Sequence, residues 1–189
     1  MTTHIPRPDA RRIEPVTAPS PTLQRLVDNG TRAADGRPLD IFAILDNHPK
    51  LHEKFLVFAG YLLNGTIPGR EREIVILRVG ANCRSVYEFG QHTLIGKREG
   101  LTDGEVAALH DDSSGHEWSS DDAALVALAD ELCADHCVSD ATWDALKRRW
   151  SDNEIMELLL VAGNYMLVSG FLNSVGAQLD AGVPGWPEQ

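Results

Sequence analysis

The chain has 189 residues, 43% hydrophobic and 24% charged, the balance of an ordinary globular protein with enough length for one domain and its own core. A net charge of −11 works against nucleic-acid binding, which rests on Lys and Arg neutralising phosphates, and says little about fold or substrate. Three cysteines, an odd number, without a secretory signal point to free thiols in a reducing cytoplasm, and no apolar run reads as the roughly 20 residues of a membrane span.

In chain order, Met1 to Thr22 is rich in proline and lacks the apolar stretch of a signal peptide, so it reads as an extended arm ahead of a helical domain over 23–189. Such an arm can be held by lying on a neighbouring subunit. Thr22 to Asp28 reads as a short helix stopped at Asn29-Gly30, and Asp40 as the cap of a helix over Ile41 to Asp46. Pro49 suits the first turn of a helix to Leu63, which Asn64-Gly65 ends. Pro68 opens a helix over 70–82, and Ser85 to Lys97 forms the next, closed by Gly100. Thr102 and Glu105 fit a capping box before a short helix to His110, with a polar loop from Asp111 to Ser120. Asp121 to Cys137 is amphipathic, Ser139 caps a helix through Trp143 to Trp150, and Ser151 with Glu154 forms a second capping box. An apolar helix reaching at least Leu167 and a last one over Ser169 to Leu179 complete an all-α pattern, with no period-two run bounded by turn residues.

Glu73-Ile74 and Glu154-Ile155 each begin an apolar helix pair, the pattern of a degenerate internal repeat. In it Ser169 and Asn173 stand where the first copy has Glu88 and His92, and chance similarity of two buried helices accounts for it equally well.

At about 100° per residue, Ser85, Glu88 and His92 fall within about 60° of one another on a helix otherwise surrounded by Val86, Phe89, Leu94 and Ile95. A carboxylate one turn from an imidazole can act as a proton-transfer pair. The same stripe can equally be a structural network that ties helices together. Arg78 is a permanent cation among Ile, Val and Leu, so it needs a partner: Glu88, Glu73, a substrate carboxylate, or solvent at a subunit edge. Cys133, His136 and Cys137 lack a fourth ligand in sequence reach, so no metal site is expected. The remaining histidines, His52 and His110 among them, read as surface or loop residues, and Trp143 and Trp150 as core. The motifs of serine hydrolases, P-loops, dinucleotide folds and zincins are missing.

The segment Arg70 to His92 followed by Gly100-Leu-Thr-Asp-Gly-Glu105 resembles the carboxymuconolactone decarboxylase family, whose members share the all-helical fold of alkylhydroperoxidase D. The resemblance covers roughly residues 40 to 180. In the family's peroxidase branch a Glu is followed at twelve and fifteen residues by the cysteines of C-x-x-C and at nineteen by His. Counted from Glu73, those positions hold Ser85, Glu88 and His92, so both cysteines are replaced. Cys83 lies two residues before the first of them and is expected to have no resolving thiol nearby, which leaves no disulfide cycle.

The decarboxylase branch keeps Glu and His at the positions of Glu88 and His92, and its reaction needs no cofactor. The resemblance therefore implies an enzyme performing decarboxylation or proton transfer on a small carboxylate or lactone. In it His92 is the acid/base, Glu88 orients it and raises its pKa, and Glu73 completes the catalytic set. Arg78 or Arg84 would hold a carboxylate, and Ser85 or Tyr87 would donate to an oxyanion, although Tyr87 is expected to point away from the Glu88/His92 face. The alternatives are a thiol-dependent peroxidase working through Cys83 and a non-catalytic helical oligomer. The resemblance also implies a homo-oligomer, a trimer or hexamer.

Overall fold

The chain is helical throughout its regular structure. A computed structural model describes residues 5–111 and 115–187, so residues 112–114 of the expected loop lie outside the described residues. Among the described residues there are nine helices: α1 (Pro21–Asp28), α2 (Asp40–Leu45), α3 (Pro49–Leu63), α4 (Gly69–Asn82), α5 (Val86–Arg98), α6 (Asp103–His110), α7 (Ser120–Asp135), α8 (Asp140–Lys147) and α9 (Asp152–Val175). An isolated bridge between Arg32 and Pro38 is the one β pairing among these residues.

Local chemistry sets most of the boundaries. Pro21 and Pro49 occupy first turns, where the missing N–H costs nothing. Thr102 with Glu105 and Ser151 with Glu154 form the two expected capping boxes, each satisfying two otherwise orphaned backbone donors. α4 is the hub. Every residue from Arg72 to Gly80 is buried, and the helix packs on α5, α6, α7 and α9. A helix covered on all sides has no use for a polar stripe, which is why its centre reads Ile-Val-Ile-Leu. Ile74, Ile76 and Leu77 meet Leu125, Leu128 and Leu158 in one core cluster, each such side chain contributing about 1.5–3 kcal/mol by leaving water.

α9 corrects three expectations. It runs unbroken for 24 residues, with no interruption before Ser169, whose side chain is buried inside the helix. The proposed second helix pair is therefore one helix, whereas α4 and α5 are separated by a turn with Arg84 in the left-handed region at φ 51°. By length and apolarity α9 could also cross a membrane, although 56% of its apolar window is buried in this fold as a wall of the core.

The arm packs on its own chain. Arg12 N donates to Val175 O at 2.7 Å, Val16 N to Ala43 O at 3.0 Å, and Arg11 pairs with Asp40 at 2.8 Å. Gly176 ends α9 at φ +73°, and a Cβ there would stand 2.4 Å from Ala10 O, so glycine is needed both for the turn and for the arm's close approach. Two further side chains differ from expectation. Trp143 is 40% exposed, because α8 ends at Lys147 and Trp150, beyond it, alone turns into the core. His52 is fully buried on α3, its Nδ1 3.0 Å from Asp46 and its ring stacked on Phe42.

Candidate functional site

α4 and α5 bring the three acid/base candidates together. Glu73 lies on the second turn of α4, while Glu88 and His92 lie one turn apart on α5. His92 Nδ1 is 2.6 Å from Glu73 Oε2, and its Nε2 is 3.1 Å from Glu88 Oε1. Arg72 donates from Nε to Glu73 Oε1 at 3.0 Å and from Nη1 to Leu63 O at 2.8 Å. The charges therefore alternate, Arg72, Glu73, His92, Glu88. Glu73 has no exposed surface at all, so it depends on these cations. Burial opposes protonation of His92. The charge and hydrogen bond of Glu73, then those of Glu88, outweigh it and raise the pKa to about 10.

Glu88 and His92 open onto a cavity of about 400 Å³. Glu73 sits behind His92 and does not line it. The cavity walls come from α2, α3, α5 and α9 and are mostly apolar, with Ile41, Phe42, Phe55, Leu63, Ile95 and Val168 prominent. The geometry gives Glu73 the orienting position expected of Glu88, while Glu88 shares the open face with His92.

The other expected site residues lie elsewhere or are occupied. Arg78 is bound to Asp130, Nε to Oδ1 at 2.5 Å and Nη2 to Oδ2 at 3.0 Å, and donates to Leu109 O at 3.3 Å. It therefore meets neither Glu73 nor Glu88. Arg84 is exposed and lines a different cavity with Arg7 and Asn173. Ser85 precedes α5 as its N-cap, is buried, and stays outside the main cavity. Tyr87 does line the cavity, against expectation, but its hydroxyl is committed: it donates to Asp180 and accepts from Ile41 N at 3.2 Å. His110 is half-buried against Phe89 and Trp186 rather than free in a loop.

Two residues of α9 had no part in the expected site. Tyr165 stacks edge-on against His92, ring centroids 4.8 Å apart at 81°, and Asn164 adjoins it; both line the cavity. Burial, then the charges of Glu88 and Glu73, push the Tyr165 phenol well above its ordinary pKa, so it remains a proton-bearing donor. The available signal was an Asn-Tyr interruption within the apolar run Leu158 to Leu167.

The thiols also depart from expectation. Cys83 caps the C-terminus of α4, and Cys133 on α7 lies near enough for the two thiols to influence each other's titration. The Cys133 thiol and the charge of Arg7 lower the Cys83 pKa, against burial, while Cys83 and burial push Cys133 up. Neither thiol lines the main cavity. No group of three or more His, Cys, Asp or Glu is placed to hold a metal among the described residues.

The helices adopt the all-helical fold seen in alkylhydroperoxidase D-like structures. Residues 49–131, which include Glu73, Glu88 and His92, match the profile of the carboxymuconolactone decarboxylase family. An alkylhydroperoxidase AhpD core, an uncharacterised peroxidase-related protein from Ralstonia eutropha, superposes at TM-score 0.75 with 17% identity over 90% of this chain and 94% of its own. A peroxidase-related protein from Silicibacter sp. does so at TM-score 0.77 with 12% identity over 96% and 99%. A debrominase in complex with 2,3,4-tribromopyrrole does so at 0.76 with 14% identity over 92% and 94%. These likenesses are of fold. No curated protein sequence matches the chain significantly.

His92 binds its proton more tightly in the folded chain, at about 10, than at its ordinary value of 6.5. The stabilisation is then complete below about pH 6.5 and lost as pH rises through 10. Urea unfolding of the wild type and of His92→Gln should differ by a gap that shrinks across this window, by on the order of a few kcal/mol. A gap independent of pH between 6 and 10 would contradict this charge state.

Proposed function

We propose that this chain is an enzyme of the carboxymuconolactone decarboxylase type that performs decarboxylation or proton transfer without a cofactor on a small carboxylate or lactone. The observation that carries this reading is the Glu88/His92 pair on the wall of an otherwise apolar cavity, with Glu73 fixed behind it. At neutral pH the His92 imidazolium is the acid of the pair. Glu88, whose Oε2 carries no hydrogen bond from another described residue, is the base, and Glu73 positions the ring through Nδ1. Loss of a proton to Glu88, or of CO2 from a carboxylate, at the carbon next to a carbonyl leaves the electron pair as an enolate, which His92 protonates; in the first case Glu88 returns its proton to His92. Apolar walls keep water from competing for that proton.

A second reading is thiol-dependent reduction of a hydroperoxide, favoured by the nearness of Cys133 to Cys83. The Cys83 thiolate would attack the peroxide, releasing the alcohol. Cys133 would then displace water from the sulfenic acid to leave a disulfide, which an external thiol would restore.

One comparison separates the two. A panel of small lactones and unsaturated carboxylates in D2O, followed by NMR, should show solvent deuterium entering the substrate or loss of CO2. Glu88→Gln and His92→Ala should slow this at least ~100-fold, with Cys83→Ser unchanged. Wild-type rates in both site variants, or consumption of peroxide that vanishes in Cys83→Ser, would move the assignment to the thiols or away from catalysis.

The proposal includes a homo-oligomer. Met156, Leu160, Gly163, Leu167 and Gly170 form an exposed stripe on α9 at alternating spacings of four and three, the pattern of a helix seam, with glycines that permit close approach. Light scattering should give a trimer or hexamer that Leu167→Glu weakens. The mass of a single chain would remove this part.

A further inference from the structure

The cavity has a charge pattern that limits what it can hold. Glu88 and His92 are its only Asp, Glu, His, Lys or Arg side chains among the described residues, and none of the nearby guanidinium groups reaches it. Arg72 is turned to Glu73 and Leu63 O, Arg78 to Asp130, and Arg84 to another cavity. The positive charge of His92 is already faced by two carboxylates. An anionic ligand would lose its water and meet Glu88 with no unmatched cation, a costly exchange.

The cavity does offer neutral donors. Tyr165 is 4% exposed and Asn164 is 7% exposed, both line the cavity, and neither side chain makes a hydrogen bond to another described residue. Neither polar group is closed off from the cavity, so each can donate to an acceptor that enters it. The remaining surface, from Ile41, Phe42, Phe55 and Val168, suits a flat apolar body.

We propose that the cavity binds a neutral, largely apolar ketone, enone or lactone, whose carbonyl oxygen accepts hydrogen bonds from the Tyr165 hydroxyl and the Asn164 amide while a neighbouring C–H faces Glu88. This rests on the proton-transfer reading above and narrows it to neutral carbonyl compounds, with Tyr165 and Asn164 as the oxyanion donors. Glu88 takes the proton. The C–H electron pair becomes the enolate double bond, and the carbonyl π pair moves onto the oxygen held by the two donors. The proton returns to carbon at the same or a conjugated position, so the net change is exchange or a double-bond shift, and no oxidant or reductant is required.

The test is calorimetric titration at pH 7 with a matched pair, γ-phenyl-γ-butyrolactone and its ring-opened anion, 4-hydroxy-4-phenylbutanoate. The lactone should bind at least ~10-fold more tightly, since an unpaired buried charge costs more than a kilocalorie. Tyr165→Phe and Asn164→Leu should each weaken lactone binding roughly 3- to 10-fold, with melting curves recorded to confirm the fold. Anion binding as tight as the lactone, no lactone binding to the wild type, or unchanged affinity in both variants would overturn the inference. Binding is read apart from turnover. Lactone binding that depends on Tyr165, with no deuterium exchange at its α-carbon, would uphold this pocket assignment and overturn the proton-transfer reading.

Discussion

The contact between Glu73 and His92 is the constraint around which the centre of the molecule is arranged. Glu73 has no exposed surface and sits on the helix that α5, α6, α7 and α9 cover. An unpaired carboxylate there would cost several kcal/mol, so folding must deliver cations to it. Arg72 comes from the adjacent position in sequence, and His92 must come from another helix. That requirement fixes the rotation of α5 about its axis. Glu88, one turn before His92, is then placed on the imidazole's second nitrogen at the cavity edge. The protonated ring and the carboxylate at the cavity edge are thus two consequences of one buried charge.

The same logic distributes the arginines. α4 carries two buried guanidinium groups, Arg72 and Arg78, and each is matched within the chain, the first by Glu73 and the second by Asp130 of α7. Guanidinium groups committed to carboxylates within the chain are not available for substrate. The cavity is left with apolar walls, a Glu/His pair and two neutral donors from α9. Electrostatics inside the core therefore limits the chemistry at its edge, favouring movement of a proton over capture of an anion.

Much of the helical frame was legible because its signals are local. A proline at a first turn and a Thr or Ser three residues ahead of Glu act within one turn of chain, and α3, α6 and the start of α9 follow them. The spacing of Glu88 and His92 is equally local. Glu73 joined them through the count that the family resemblance supplied. Partners brought together by packing were not legible. Asp130 is 52 residues from Arg78, Cys133 approaches Cys83 across the α4–α7 contact, and Tyr165 reaches His92 from the last helix. The break expected before Ser169 failed for a related reason: an inward-facing serine is tolerated in a helix that the core holds on both sides.

The most direct measurement is the titration of the His92 ring nitrogens by long-range 1H–15N NMR, in the wild type and in Glu73→Gln. The buried-charge account predicts a wild-type midpoint near 10 and a fall of more than ~1 unit when the carboxylate is neutralised. A wild-type midpoint near 6.5, the ordinary histidine value, or the same midpoint in both proteins would contradict it.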